Sequence, residues 1–277
     1  MKTLYSLAAI WFATISASCT NTMSVTKRNN EVQVRNFSYG PHRQHKAEIN
    51  IPENINDKPP IVLIHGGSWV QGGKWMLRPV AKMLNKQGFT TINIDYRLAT
   101  KKICNYDQFD DVRLAIAKSK KFLGVSDSIK VTLLGESAGA QMSMMYGYKN
   151  PSEIGKIISL SGPTDLADVA YSTTIKKVRA MPVLKKVTGE RLDTKNIPQV
   201  YKDLSPYANV GDVPTLMIHG TWDMFVNIRQ AYKLEKELVA KNVPHKLVVI
   251  EKAGHVSRLI PSVRKTIIYP EIIKWLN

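Results

Sequence analysis

The stretch KVTLLGESAGAQMSMMYGY, residues 130–148, places a serine between two glycines, where a short apolar run ends and a different pattern begins. Residues 131–134 are mostly apolar, as is typical of a buried strand. After the serine, small and apolar residues recur every three or four positions, as on the inner face of a helix. Ser137 is therefore predicted to lie at a strand-to-helix junction, where Gly135 and Gly139 would let the backbone turn sharply. Because Gly-x-Ser-x-Gly also occurs in ordinary turns, the rest of the chain must decide its meaning.

Short apolar runs alternate with helical patterns along the chain. The predicted strands cover residues 31–39, 47–51, 61–64, 90–94, 131–134, 157–160, 215–218 and 246–250. Further helical patterns cover residues 74–87, 107–122, 228–240 and 263–276. Such alternation favours a mostly parallel sheet covered on both faces by helices. We therefore predict an α/β fold with an eight-stranded, mostly parallel sheet, whose first two strands form an antiparallel edge.

One stretch interrupts this alternation. Residues 165–206 lack a clear buried strand and contain Pro182, Pro198 and many basic residues. We expect a small cap insertion lying over the sheet, near the carboxyl ends of the strands, where such folds bind ligands. The predicted organisation is a leader, residues 1–19, followed by one α/β domain, residues 20–277, that contains this cap.

The first nineteen residues have the layout of a secretory signal. Lys2 provides the positive start, residues 4–15 form an apolar run, and small residues precede Cys19. The run is shorter than the ~20 residues that span a bilayer. A cysteine after small residues resembles a bacterial lipoprotein processing site, although Ser16 stands where leucine is usual. We expect an exported protein, periplasmic or anchored to the membrane through lipidated Cys19, or alternatively secreted; the competing interpretation is a buried first helix.

Composition narrows the classes of function. Hydrophobic residues make up 44% and charged residues 22% of the 277 residues, as in a well-packed soluble globule. The net charge of +17 is spread along the chain without a nucleic-acid-binding motif, so we expect a solvated basic surface and no nucleic-acid partner. Cys104 has no cysteine-centred motif around it, and the methionines show no ligand-like spacing. Neither a metal nor an organic cofactor is expected.

A serine nucleophile needs a base, and the base needs an orienting acid. His255 follows the apolar run at 246–250, so it is expected at the carboxyl end of a strand, within reach of Ser137. Asp223 follows the run at 215–218 in the same way, and its carboxylate could accept the proton of the imidazole Nδ1. The alternative is that Asp223 only begins a helix. Other acids fall before a strand, in the insertion, or on the far side of a strand: Asp212, Asp165 and Glu251.

The donors for an oxyanion are expected from the backbone. One is the N–H of Ala138, directly after the serine. The others are expected from the loop after the third strand, HGGSW, where successive glycines let amide hydrogens turn toward a ligand. We nominate Gly67 and Ser68, and we expect His65 to brace this loop by hydrogen bonds.

Two further side chains are predicted to bind substrate. Trp69 follows the nominated donors, and Glu136 directly precedes the serine. Trp69 and Trp75 would line the pocket for the acyl or leaving group, or simply pack.

Together these residues resemble the α/β-hydrolase superfamily, in which the nucleophile, acid and histidine occur in the order Ser137, Asp223, His255. The HGGSW and GESAG motifs are similar to those of carboxylesterases in the hormone-sensitive-lipase-like neighbourhood, which also holds feruloyl and acetyl-xylan esterases and kynurenine formamidase. NIDYRL, LSGPTDL and HGTWDMFV follow in the expected order, and the resemblance covers residues 32–277. Two departures are Ser68, where lipase-like members often have a third glycine, and Glu136, where they often have aspartate.

The resemblance implies a serine carboxylesterase that acts on short-chain or aryl esters through an acyl-enzyme on Ser137, with a small-molecule or glycan-linked ester as substrate. It also leaves alternatives open. An arylformamidase similar to kynurenine formamidase could use the same residues, and a serine peptidase or a noncatalytic binding protein of this fold is a weaker alternative.

Overall fold

The computed structural model describes residues 24–28, 32–54, 58–169, 174–193 and 195–277. The predicted leader and its lipidation residue, Cys19, lie outside these ranges. Within them, no helix is both long enough and apolar enough to cross a bilayer.

The described strands form one sheet of nine, in the order β1-β2-β3-β5-β4-β6-β7-β8-β9. In chain order the strands are β1 (Ser24–Arg28), β2 (Val32–Ser38), β3 (Lys46–Pro52), β4 (Ile61–Ile64), β5 (Thr91–Ile94), β6 (Val131–Glu136), β7 (Ile154–Leu160), β8 (Thr215–Gly220) and β9 (His245–Ile250). The first three strands pair antiparallel, β3 pairs antiparallel with β5, and all other pairs are parallel. The predicted α/β fold class is confirmed, with β1 as an additional edge strand that the sequence analysis missed.

Helices cover both faces of the sheet. Among the described residues they are α1 (Arg78–Lys86), α2 (Asn105–Leu123), α3 (Ala138–Lys149), α4 (Leu166–Val169), α5 (Thr174–Thr188), α6 (Gln199–Asp203), α7 (Arg229–Ala240), α8 (Pro261–Val263) and α9 (Tyr269–Leu276). Alternate side chains of a strand point to opposite faces. Val62 and Ile64 of β4 accordingly belong to one buried cluster with α2, α3 and α7, whereas Ile61 and Leu63 belong to a second with α1 and α9.

The parallel strands end together at one edge of the sheet. Ile64 of β4 pairs with Gly135 of β6, and Glu136 of β6 pairs with Leu160 of β7. Gly220 of β8 pairs with Ile250, the last residue of β9. The loops that follow β4, β6, β8 and β9 therefore begin side by side, which is how residues far apart in the chain come to share one site.

The connection from β7 to β8 contains helices α4, α5 and α6, and no strand among its described residues. The predicted cap, residues 165–206, falls within this connection. Leu184, Tyr201 and Leu204 are buried in the same cluster as Met144 of α3. The second half of the connection is thus packed onto the sheet domain.

Candidate active site

Ser137 occupies a sharp turn between β6 and α3. Its φ of 53° lies in the left-handed region, which is strained for a residue with a side chain. A Cβ on Gly135 would collide with the carbonyl oxygen of Gly139, and a Cβ on Gly139 would collide with that of Ile64. The turn is held by the N–H of Ser137, which donates to the carbonyl of Leu160 at 2.8 Å. The two glycines are therefore required by close approach of backbone, and the serine hydroxyl is presented at the carboxyl edge of the sheet.

The structure brings the three residues nominated for nucleophile, base and acid into one hydrogen-bonded series. Ser137 Oγ lies 2.9 Å from Nε2 of His255, and Nδ1 of His255 lies 2.7 Å from Oδ2 of Asp223. They come from the loops after β6, β9 and β8, respectively. Because each imidazole nitrogen has one partner, the ring can accept a proton from the serine while it donates one to the carboxylate.

Asp223 is 5% exposed and surrounded by donors. Its Oδ1 accepts the N–H groups of Phe225 and Val226 at 2.9 and 2.8 Å, and its Oδ2 lies 3.2 Å from Nε2 of His219. Burial opposes ionisation, but the hydrogen bonds from His219 and His255, the charge of His255 and the N–H of Val226 outweigh it and hold the pKa of Asp223 well below its ordinary value. His219 was not singled out from the sequence. Its Nε2 lies 3.2 Å from Oδ2 of Asp223 and 2.8 Å from the carbonyl oxygen of Val226, and its spacing of four residues from Asp223 was the available signal.

The loop after β4 runs alongside the nucleophile. A Cβ on Gly66 would lie 3.2 Å from Cβ of Ser137. The next three residues all have positive φ: 111° at Gly67, 50° at Ser68 and 62° at Trp69. Ala138, the third nominated donor, begins α3, so its N–H has no acceptor within the helix. The nominated amides therefore lie on the two segments that flank the serine.

His65 begins this loop and is 1% exposed. Its Nδ1 donates to the carbonyl of Gly66 at 2.6 Å, and its ring stacks on Tyr96 with centroids 4.2 Å apart. The hydroxyl of Tyr96 donates to the carbonyl of His65 at 3.0 Å. Burial lowers the pKa of His65, which favours the neutral ring. These contacts are those of a residue that braces the loop.

Both side chains predicted to bind substrate have protein partners instead. Trp69 is 3% exposed, and its indole N–H donates to Oε1 of Gln141 at 2.9 Å. Glu136 is 2% exposed and forms a two-point ion pair with Arg258: Nη2 lies 2.8 Å from Oε1, and Nε contacts Oε2. The structure therefore favours packing for Trp69, the alternative left open above, and an ion pair for Glu136 that no local pattern indicated.

Large apolar side chains are exposed around the acid and the base. The ring of Phe225 lies 5.3 Å from the ring of His255 and is 63% exposed. The other exposed apolar residues in the loops that carry Asp223 and His255 are Trp222, Met224, Leu259 and Ile260. We call these five residues the apolar rim. Trp75, in the connection between β4 and α1, is also 63% exposed.

No group of three or more His, Cys, Asp or Glu side chains in the described part of the chain is placed to hold a metal ion. Cys104 is half-buried, and its N–H donates to Asp107 at the start of α2.

The fold and this site define the class of protein, an α/β-hydrolase. Among solved structures, the chain is similar to a truncated carbohydrate esterase from gut microbiota (TM-score 0.71, 20% identity, 87% of this chain and 93% of that chain). It is also similar to a bacterial heroin esterase (TM-score 0.70, 19% identity, 89% and 83%) and to an acetyl ester-xyloside bifunctional hydrolase from Caldicellulosiruptor lactoaceticus (TM-score 0.66, 20% identity, 83% and 86%).

Curated relatives include the acylamino-acid-releasing enzyme of Rattus norvegicus, which is 27% identical over 74% of this chain but only 30% of its own length. The non-reducing polyketide synthase adrD of Penicillium rubens is 22% identical over 79% of this chain and 12% of its own length. The chain thus spans less than a third of each of these two relatives.

Within the superfamily, the family model of BD-FAE matches residues 47–238, and the chain belongs to that family. The predicted superfamily, the α/β-hydrolases, is confirmed.

Proposed function

We propose that this chain is a serine carboxylesterase that hydrolyses short-chain or aryl carboxylic esters. The observation that carries the proposal is the series Ser137–His255–Asp223, with hydrogen-bond distances of 2.9 and 2.7 Å. This series supports the roles of nucleophile, base and orienting acid for these three residues.

In the first half of the proposed reaction, Ser137 Oγ attacks the ester carbonyl carbon while Nε2 of His255 takes the hydroxyl proton. The developing oxyanion accepts hydrogen bonds from the N–H groups of Gly67, Ser68 and Ala138. When the tetrahedral intermediate collapses, His255 gives the proton to the departing alcohol oxygen, and the acyl group stays on Ser137 as an ester.

In the second half, His255 takes a proton from water as the water oxygen attacks the acyl-enzyme. The intermediate then releases the carboxylic acid, and Ser137 Oγ recovers its proton from His255. Asp223 stabilises the imidazolium in both halves, because its lowered pKa keeps the carboxylate ionised.

The exposed apolar side chains near His255 support an ester substrate whose alcohol group is apolar or aromatic. The alcohol leaves from the side of His255, and Phe225 of the apolar rim contacts that ring. The names of similar structures, a carbohydrate esterase and an acetyl ester-xyloside hydrolase among them, support an ester linked to a small molecule or to a glycan.

A second candidate is hydrolysis of an acyl–nitrogen bond with the same residues. The similarity to acylamino-acid-releasing enzymes favours it, and the arylformamidase alternative belongs to the same class of reaction. A panel of p-nitrophenyl acetate, methyl ferulate, acetylated xylan, N-formylkynurenine and an acyl-alanine p-nitroanilide separates the two candidates. Selective turnover of the last or of N-formylkynurenine would replace the carboxylesterase proposal.

Replacing the nucleophile tests the mechanism directly. Ser137→Ala should lower kcat for p-nitrophenyl acetate by about six orders of magnitude, as loss of a nucleophile that acts with its base does elsewhere. Ser143→Ala is the matched control, because Ser143 is buried in α3 and donates to the carbonyl of Gly139. The control should keep its activity. Undiminished turnover by a folded Ser137→Ala variant would exclude this serine as the nucleophile.

We also propose that the chain is exported and held at a membrane through lipidated Cys19. The charged start, apolar run and small residues before this cysteine support the proposal. Mass spectrometry of the mature N-terminus should show an acylated Cys19, and Cys19→Ser should abolish the added mass. A mature chain that begins at another residue would exclude the anchor.

A further inference from the structure

Four buried side chains form a closed series of hydrogen bonds behind the loop that follows β4. The indole N–H of Trp69 donates to Gln141, whose amide nitrogen donates to Oδ1 of Asn105 at 2.9 Å. The amide nitrogen of Asn105 donates to Oε1 of Gln108 at 3.0 Å, and that of Gln108 donates back to the carbonyl of Trp69 at 3.0 Å. We call these four residues the amide ring.

The amide ring is buried and fully bonded. Trp69 is 3% exposed, and Asn105, Gln108 and Gln141 are 0% exposed. Each of their side-chain nitrogen and oxygen atoms has a partner, since Gln141 also donates to the carbonyl of Leu204 at 2.9 Å and Gln108 to that of Arg97 at 2.8 Å. Buried polar networks that are fully satisfied rigidify what they contact, whereas a partly satisfied one is costly.

Trp69 is bonded both at its indole N–H and at its backbone carbonyl, and its φ is 62°. It follows Gly67 and Ser68, so three consecutive residues have left-handed backbone. Residues with side chains persist in such conformations only where the surrounding structure determines them strongly. Gln141 holds the indole of Trp69, and Gln108 holds its carbonyl. The two bonds together oppose relaxation of the loop.

The same ring connects this loop to the nucleophile. Gln141 lies one turn after Ser137 in α3, and its backbone N–H donates to the carbonyl of Ser137 at 3.1 Å. A single side chain thus spans the two segments that carry the nominated oxyanion donors.

We propose that the amide ring is a positioning device that sets the oxyanion donors of Gly67 and Ser68 relative to Ser137, with Gln141 as its central positioning residue. The inference rests on the proposed function, because it assumes an oxyanion in this place. Gln108 and Gln141 bond to Trp69, and Asn105 bonds to those two glutamines. All three are 0% exposed, so they act through Trp69.

Gln141→Leu tests the proposal, because it leaves Trp69 and Asn105 without their partner. We expect kcat for p-nitrophenyl acetate to fall by about tenfold to a thousandfold, up to the loss caused by one missing oxyanion donor. KM should change little. A trifluoromethyl ketone, which adds to Ser137 and places its oxyanion among the donors, should lose affinity by the same factor as kcat. Trp69→Phe, which removes the indole donor but keeps an aromatic ring and the bond from Gln108 to the backbone carbonyl, should shift kcat and inhibitor affinity in the same direction by less.

The matched control is Asn85→Leu. Asn85 is a buried amide in α1 whose side chain donates to the carbonyls of Asn50 and Phe89, away from the nucleophile. The Asn85→Leu substitution should lower the melting temperature without changing kcat or inhibitor affinity. If Gln141→Leu behaves like Asn85→Leu, the amide ring is only structural and the inference fails. If Gln141→Leu does not fold, Trp69→Phe decides, and unchanged kcat and inhibitor affinity in that variant overturn the inference.

Wild-type activity separates this test from that of the proposed function. An active wild type with an unaffected Gln141→Leu variant overturns the inference alone. A folded wild type that hydrolyses no ester overturns the proposed function, and the inference falls with it.

Discussion

The two halves of the site are built differently. The half that carries Ser137 and the nominated oxyanion donors has left-handed backbone at Ser137 and from Gly67 to Trp69, and it is closed by glycines that admit no side chain. The half that carries Asp223 and His255 ends in loops that expose the apolar rim.

The difference follows from what each half must do in the proposed reaction. Backbone amides that stabilise an oxyanion act only if they are held in place before the charge develops. The leaving group, in contrast, must enter and depart beside the histidine, so the loops there leave apolar surface accessible. A rigid half and an accessible half meet at the hydrogen bond between Ser137 and His255.

The largest effect within the accessible half is expected from its buried acid. Asp223→Asn should lower kcat by about four orders of magnitude, because the amide cannot stabilise the imidazolium and favours the wrong tautomer of His255. Steady-state kinetics with p-nitrophenyl acetate measures this loss. Asp165→Asn is the control, because Asp165, which directly precedes α4, pairs with Lys233 of α7 and not with His255. A comparable loss in both variants would show that the choice of acid is wrong.

The ion pair between Glu136 and Arg258 joins the two halves, since one residue precedes the serine and the other follows the histidine by three positions. Arg258→Met should destabilise the fold by about 3–5 kcal/mol, because it leaves the carboxylate of Glu136 buried and unpaired. Chemical denaturation measures this change. Arg113→Met should cost less than about 1 kcal/mol, since Arg113 and its partner Asp110 are 60% and 66% exposed.

A double variant sharpens this prediction. Glu136→Gln combined with Arg258→Met removes both charges, so it should recover much of the lost stability. If the double variant loses as much free energy of unfolding as the two single variants together, the two residues are not energetically coupled. The ion pair would then not be what links the two halves.

The smallest effect is expected at the rim. Phe225→Ala should leave the free energy of unfolding within about 0.5 kcal/mol, because the ring is mostly exposed. It should raise KM for aryl esters by about two- to tenfold, the equivalent of one aromatic contact of about 0.5–1.5 kcal/mol, and should spare ethyl acetate. Tyr232→Ala, which removes a 47% exposed ring on α7, should leave both values of KM unchanged. An equal effect on aryl and ethyl esters would contradict a role in binding the alcohol group.

Local sequence patterns were sufficient to predict the residues of the hydrogen-bonded series Ser137–His255–Asp223. Each nominated residue of the hydrogen-bonded series follows an apolar run within five positions, and Gly135 and Gly139 lie two positions on either side of Ser137. Period, turn residues and chain order are all readable within a few positions. The edge strand β1 was missed because SVTKR contains a single large apolar residue and pairs with β2 through its backbone.

The hydrogen-bond and ion-pair partners of buried polar groups could not be predicted from local sequence patterns. Trp69 bonds to a residue 72 positions away, and Glu136 pairs with one 122 positions away. An isolated glutamine or arginine carries no periodic signal, so Gln141 and Arg258 were not singled out, and Trp69 and Glu136 were assigned to substrate.

The amino-acid sequence by itself determined the order of strands β2 to β9 and of the helices between them outside the connection from β7 to β8, the turn at Ser137, and which loops carry Asp223 and His255, because these depend on periodicity and on backbone freedom at a few glycines. Only the tertiary structure decided that Glu136 faces Arg258, that Trp69 is held by the amide ring, and that the apolar rim stays exposed. The first two outcomes depend on which buried donors and acceptors meet across long separations in the chain, because a buried polar group without a partner costs free energy. The third depends on how the loops after β8 and β9 pack.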